Sequence, residues 1–399
     1  MKLKIKSLSA RTIFDSRGEP TVEITACSKK HCASASVPSG KSVGRMEAAV
    51  VSAGEAAPVL EKVSEAVRGH SFASLRALDD VMRRADGTER KSKFGGNIML
   101  GVSVAAARLM SIEKEIPLWK FLKNGFFSHH THKQAPLIFS NFINGGVHAP
   151  NNLDIQEYMV IMRVNNSYAD SIEKLAHLYR RVYDAISASS GTRAIPLGDE
   201  GGYAANFRGN FEPVEIIEQC IRAARLESVC SIGLDAAATS FFENGEYVFE
   251  GERLSPSALQ NKYEEYFKKS KLLLSIEDPF AENDAEAFAG LRGSLGLGWV
   301  IGDDLTATNP RLIEQYAGIN AISGVIIKPN QIGTVSETCD ALNAAKSNGL
   351  DTIVSHRSGE TEDTFIIELA KAASADAVKI GAPARERMAK FNELIRLYD

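Results

Sequence analysis

Cysteine is scarce in this chain: five in 399 residues (Cys27, Cys32, Cys220, Cys230, Cys339), an odd number with no C-x-x-C pair. That pattern argues against a disulfide framework and a structural zinc site, and fits a reducing cytoplasm. An excess of either charge is also lacking. A formal net charge of -4 leaves no basic footprint for nucleic acid. No apolar run is long enough to span a membrane. The opening Met1-Lys-Leu-Lys-Ile-Lys6 alternates apolar and basic residues, as a first strand does and a signal peptide does not. What is present, 44% hydrophobic and 24% charged residues, is the balance of a soluble globular protein, and 399 residues exceed one ordinary core. Two domains are expected.

The first, residues 1–128, reads as a smaller α+β unit. Thr21-Val-Glu-Ile-Thr and Ala33-Ser-Ala-Ser-Val37 alternate as strands, with Ser28-Lys-Lys-His between them as a turn. Pro38-Ser-Gly-Lys-Ser42-Val-Gly44 then breaks the pattern. It is either a plain connector or a mobile loop whose Ser42 offers oxygen to a ligand. From Glu47 to about Ile116 the periodicity is helical, and the small apolar residues of Gly101 to Met110 suit packing on the sheet. His129, His130 and His132 have no acid or cysteine partner nearby, so a solvated linker is expected there rather than a metal site.

Residues 129–399 carry a repeated design. Leu272-Leu-Leu-Ser-Ile-Glu277-Asp278-Pro279 is a short apolar run stopped by acids and a proline, which predicts a buried strand delivering a carboxylate to its end. Similar runs end at Asp235, Asp303-Asp304, Lys328, His356-Arg357-Ser358 and Lys379. The steps from Glu277 to Asp303, Lys328, His356 and Lys379 are 26, 25, 28 and 23 residues, each the size of a βα unit. Such polar residues at the carboxyl ends of parallel strands belong to the working face of a (β/α)8-type barrel. Gln156 and Glu157 are read inside a strand from Leu153 to Ile161, with Glu157 either buried or on a wet edge. Ala194-Ile-Pro-Leu-Gly-Asp199-Glu200 is read as another strand ending in acids.

So many acids at one mouth need cations. Carboxylates without histidine or cysteine suit a hard ion, Mg²⁺ before Zn²⁺. Arg357 suits a phosphate and Lys379 a carboxylate. Lys328, between a divalent cation and a second lysine, would have its pKa lowered and could serve as a base. The chemistry that uses all of these is proton abstraction beside a carboxylate, with an acid across the site protonating the leaving group.

Phe14-Asp-Ser-Arg-Gly-Glu-Pro-Thr-Val-Glu23, Gly198-Asp-Glu-Gly-Gly202 and Ser275-Ile-Glu-Asp-Pro-Phe280 resemble blocks of the enolases (phosphopyruvate hydratases). So do Gly302-Asp-Asp-Leu-Thr-Ala-Thr-Asn-Pro310, Lys328-Pro-Asn-Gln-Ile-Gly333 and Ser355-His-Arg-Ser-Gly-Glu-Thr-Glu-Asp-Thr-Phe365, so the resemblance runs end to end. It implies an α+β capping domain before a ββαα(βα)6 barrel, and Mg²⁺-dependent dehydration of 2-phosphoglycerate to phosphoenolpyruvate. The wider superfamily is known for a Lys or His base working with Mg²⁺ on an ene-diolate. By motif, Asp235, Glu277 and Asp303 would hold one Mg²⁺ and Ser42 a second. Lys328 would be the base, and Glu200, supported by Glu157, the acid. His148, Gln156, His356, Arg357, Ser358 and Lys379 would contact substrate. A homodimer or higher oligomer is implied, with no nucleic-acid or membrane partner.

Five positions depart from the family pattern. Lys41 and Val43 flank Ser42 where Ala and Thr are usual, Val147 and Pro150 alter the His148 loop, and Pro329 follows the base. All sit on lids or beside reacting groups, where substrate choice is tuned. The nearest rival reading is a related enzyme on another phosphate or phosphonate acid, such as a carboxyphosphonoenolpyruvate synthase.

Overall fold

The computed structural model describes residues 2–41, 44–129 and 135–399. The chain opens with a three-stranded antiparallel sheet in the order β1 (Ser7–Phe14), β2 (Pro20–Cys27), β3 (Cys32–Ser36). The first strand begins later than the alternation from Met1 suggests, because Leu3 pairs with Phe72 instead of a sheet neighbour. Cys27 and Cys32 form a disulfide, which corrects the all-thiol expectation. The turn at 28–31 sets the two directly opposite in the β2–β3 register, a closeness that a search for C-x-x-C overlooks. The other three cysteines are free and buried.

Four helices follow: α1 (Ala56–Val67), α2 (Leu75–Asp86), α3 (Gly96–Glu113) and α4 (Leu118–Phe126). The Ser74 hydroxyl caps α2 by accepting the Ala77 N–H, and Gly87 ends it at φ 71°. Small apolar residues bury α3 along most of its length against β2 and β3. A Cβ on Gly101 would lie 2.5 Å from Ile24 Cγ1, so glycine permits that close approach. α4 occupies part of what the sequence left as linker. His129 is exposed, and His130 and His132 lie outside the described residues.

The rest closes an eight-stranded barrel. Its strands are β4 (Leu137–Asn144), β5 (Glu157–Met162), β6 (Cys230–Asp235), β10 (Leu273–Glu277), β11 (Trp299–Gly302), β12 (Gly324–Ile327), β13 (Asp351–Ser355) and β14 (Ala377–Lys379). A small sheet of β7 (Phe242–Glu243), β8 (Glu246–Phe249) and β9 (Glu252–Leu254) projects between β6 and β10. The ring order is β10-β11-β12-β13-β14-β4-β5-β6. β5 runs antiparallel to both neighbours and every other pair is parallel. Helices α5 (Tyr168–Ser190) and α6 (Glu212–Ala223) separate β5 from β6, which makes the expected ββαα(βα)6 order. The later helices are α7 (Pro256–Lys269), α8 (Ala285–Ser294), α9 (Pro310–Gly318), α10 (Pro329–Ile332), α11 (Val335–Ser347), α12 (Phe365–Ala373) and α13 (Met388–Tyr398). Among the described residues no helix is long and apolar enough to cross a membrane.

Alternate residues of each strand face the lumen. Phe139, Met159, Ile161, Ile301, Ile326, Ile353 and Ala377 meet there as a buried cluster of their own, each side chain contributing about 1.5–3 kcal/mol by leaving water if as large as valine or more. Two positions along the same strands, toward the mouth, stand Asn141, Glu157, Asp303, Lys328, Ser355 and Lys379. The core thus turns from apolar to ionic within one strand repeat.

Candidate active site

The ionic layer is built from strand ends. Lys379, closing β14, places Nζ 2.9 Å from both Glu277 carboxylate oxygens, 3.2 Å from Asp235 Oδ2 and 3.2 Å from Glu157 Oε2. Lys328, one residue past β12, contacts Asp303. Gln331 donates to Asp303 Oδ1 at 3.2 Å and is itself held by Thr308 Oγ1 at 2.6 Å. Arg357 donates to Glu47 at 3.1 Å and to Asn330 Oδ1 at 2.8 Å. His356 Nε2 lies 3.6 Å from Glu200, and His148 Nδ1 lies 3.8 Å from Glu200 and 4.0 Å from Glu157.

The backbone behind these groups is strained. Ala237 (φ 43°) follows Asp235, Asp278 (φ 39°) follows Glu277, and Ala307 (φ 44°) with Thr308 (φ 54°) follow Asp303. Non-glycine residues rarely adopt this region, and such outliers gather where a site is held against its preferences. Strain at Asp278 places its carboxylate under the next strand's end. Its two oxygens accept the N–H groups of Asp303 and Asp304 at 2.9 and 2.7 Å, which aims both of those carboxylates.

Acids outnumber cations here, and their protonation reflects it. Burial, then the charge of Asp235, pushes Glu277 well above the usual carboxylate range despite Lys379. Burial and Asp303 bring Asp304 to about 7. Glu157 is raised by burial and by Glu200. His356 is drawn down to about 4 by burial. Burial also pushes Glu200 up, but the charges of His356, His148 and Lys379 outweigh it and hold Glu200 well below the usual carboxylate range, so the two neighbouring acids shift in opposite directions. Burial pulls Lys328 down, but Asp303 beside it more than offsets this and holds it above its ordinary value; the lowering expected of it depends on a divalent cation at its side.

Carboxylate oxygens on one arc, buried and short of counter-charge, fit a hard divalent cation. Two groups bring one ligand atom each within 4.8 Å of one another: Asp278, Asp303 and Asp304, and, across the mouth, His148, Glu157 and Glu200. Asp235 and Glu277 join the first group's side through the adjoining strands β6 and β10.

The named residues gather at one mouth: Gln156, Glu157, Glu200, His148, Asp235, Asp303, Lys328, His356, Arg357, Ser358 and Lys379 line a single cavity, with Glu277 on Lys379 behind it. Ser42 and Val43 lie outside the described residues. Two strand assignments need correction. Gln156 precedes β5 and Glu157 opens it; because β5 is antiparallel, its first residue is the one at the mouth. Glu200 stands on a glycine-rich loop rather than at a strand end, Leu197 making only an isolated bridge to Tyr203. Pro329 is harmless to the backbone, since it opens α10 where an N–H has no helical partner.

Sequence reasoning missed several partners. Asn141 donates to Glu200 at 3.2 Å, and its position two residues beyond Phe139 was a usable signal. Asn330 and Gln331 sit inside the Lys328–Gly333 block, whereas Glu47 and the fully buried Arg387, which donates to the Arg357 and Ser358 carbonyls at 3.1 and 2.8 Å, gave none. The Asp15-Ser-Arg17 block clamps the loop carrying Ser358. Ser16 N–H donates to the Glu360 carbonyl at 2.8 Å, and any Cβ on Gly359 would collide with Asp15, Arg17 and Ser39.

Residues 5–122 match the family model described as the enolase N-terminal domain, and residues 132–399 match that of the enolase C-terminal TIM barrel domain. The chain is 37% identical over 409 aligned positions to an enolase of Methanocaldococcus jannaschii, covering 99% of this chain and 95% of that protein. It is 36% identical over 408 positions to an enolase of Elusimicrobium minutum, with the same coverage.

Proposed function

The chain belongs to the enolase family, and from that premise we propose that it is a phosphopyruvate hydratase, catalysing the reversible, Mg²⁺-dependent dehydration of 2-phosphoglycerate to phosphoenolpyruvate in glycolysis and gluconeogenesis. One observation carries the mechanism. In the ring, β12, which Lys328 follows, and β5, which begins at Glu157, are diametrically opposed. The arc β6-β10-β11 between them presents Asp235, Glu277 and Asp303, and the arc β13-β14 on the other side presents His356, Arg357, Ser358 and Lys379. A base and an acid on opposite walls suit removal of a proton and of a hydroxyl from opposite sides of one small molecule.

Lys328 takes the proton from carbon 2. Burial, Arg357 and Lys379 all favour its neutral form, and Asp303 and Glu277 oppose it, so drawing charge off Asp303 frees the amine. Glu200, supported by Glu157, gives a proton to the carbon-3 hydroxyl as it leaves. Arg357 and Ser358 hold the phosphate, Lys379 the carboxylate, and His148, Gln156 and His356 line the approach. Asp235, Glu277 and Asp303 would hold one Mg²⁺, and Ser42 a second with substrate oxygens. Bound there, the ions neutralise the second negative charge that develops on the substrate carboxylate. The division into a capping domain (1–128) and a catalytic barrel (129–399), a cytoplasmic location, and a homodimer or larger assembly complete the proposal.

The test is turnover of 2-phosphoglycerate with Mg²⁺, followed by the ultraviolet absorbance of the enol product. A folded protein that gives no signal, or one whose signal survives Lys328→Ala, overturns the reading.

A further inference from the structure

Among the described residues, three lysines and one arginine line the cavity: Lys41, Lys328, Arg357 and Lys379. Three are committed to buried acids, and their side chains are 14%, 6% and 3% exposed for Lys328, Arg357 and Lys379. Lys41 differs: its side chain is 43% exposed, and its ammonium pairs at 2.9 Å with Asp199, itself 23% exposed.

Its backbone, by contrast, is seated firmly. Ser39 and Gly359 exchange backbone hydrogen bonds at 2.8 and 2.9 Å, and the Lys41 N–H donates to Ser358 Oγ at 3.0 Å. The base of the side chain is therefore anchored beside Ser358 and Arg357, while its tip rests on a partly wet carboxylate across the mouth. A water-screened ion pair of this kind is weak. A phosphate offers more charge and more acceptor oxygens than one carboxylate. The four-carbon stem of lysine rotates freely enough to trade one for the other without backbone movement.

We propose that Lys41 is an additional substrate-binding residue, leaving Asp199 to engage the phosphate of the incoming substrate and selecting for highly charged phosphorylated acids. The choice of 2-phosphoglycerate as probe rests on the dehydratase reading; phosphate capture by Lys41 does not.

Lys41→Met, which keeps the stem and removes the charge, raises KM for 2-phosphoglycerate about tenfold with kcat within about threefold, and flattens the dependence of kcat/KM on ionic strength. Lys41→Arg restores most of the loss. Asp199→Asn leaves KM unchanged or lowers it, because it frees the ammonium. Calorimetric titration with inorganic phosphate in the presence of Mg²⁺ repeats the comparison without turnover: Lys41→Met weakens binding about tenfold and Asp199→Asn does not. Phosphate affinity and KM unaltered in Lys41→Met overturn the inference. So does an Asp199→Asn enzyme that loses as much as Lys41→Met, since Lys41 would then be only a latch between two loops. Charge-dependent phosphate binding with no turnover of 2-phosphoglycerate by the wild type leaves the inference standing and removes the dehydratase reading.

Discussion

Two rings of side chains share the barrel lumen, set two residues apart on the same strands, and they obey different rules. The lower ring, Phe139, Met159, Ile161, Ile301, Ile326, Ile353 and Ala377, asks only for volume. The upper ring asks for partners: its few cations are each shared among buried acids, as Lys379 is among Glu277, Asp235 and Glu157. Backbone strain follows the same division, with left-handed residues one to five positions beyond Asp235, Glu277 and Asp303. An apolar ring tolerates any well-packed set of similar volume, whereas an ionic ring loses its chemistry when one member is removed. The lower ring therefore acts as a rigid floor for the reactive layer above it.

The largest effect expected is on the upper ring. Lys328→Ala lowers kcat by about a thousandfold, a general base's share, with a thermal unfolding midpoint close to wild type. A variant that instead unfolds would blur the distinction between the rings. Phe139→Ala reverses the pattern: it costs about 3–5 kcal/mol in denaturant unfolding by opening a cavity, while the KM of the protein that remains folded is unchanged.

Asp79 is a buried acid outside both rings, and it separates the cost of burying charge from its use. It accepts the Ser336 N–H at the start of α11, and burial, with Glu337 nearby, raises it from 3.8 to about 6. The folded chain then keeps a proton that the unfolded chain has released. Stability is full below about pH 4 and declines as pH rises through 6, by about 3 kcal/mol in all. Asp79→Asn removes that slope, as melting curves between pH 4 and 8 would show, and leaves activity alone.

The smallest effect is the aiming of ligands. Asp278→Asn leaves one of the Asp303 and Asp304 N–H groups without an acceptor and shifts the Mg²⁺ midpoint of activity upward by about 10–100-fold. In the same vein, 100 Kd of Mg²⁺ stabilises the wild type by about 2.7 kcal/mol, seen as a rise in melting temperature that EDTA reverses. An equal shift in Asp278→Asn would show that the turn is not what aims those carboxylates.

The barrel strands were legible because each is an apolar run with a charged residue at its end, and βα spacing repeats. Glu157 was legible as a costly acid in an apolar run, but its strand start was not, since nothing local says that β5 runs against its neighbours. Glu47 was not legible as the partner of Arg357, because the two are joined only when the capping domain lands on the barrel. The Cys27–Cys32 pair was hidden by a rule about spacing that ignores hairpin register.

Taken alone, the order of residues determined which groups end each strand, because period-two alternation and charge placement are local properties of the chain. It determined the family too, through blocks that persist end to end. Closure of the ring decided the rest. Only when eight strands of fixed order and direction join does Lys328 come to face Glu157 across the lumen, with acids on one arc and anion-binding groups on the other. Distance across a barrel depends on strand order and tilt, quantities set by pairing between segments far apart in sequence, and no local pattern encodes them.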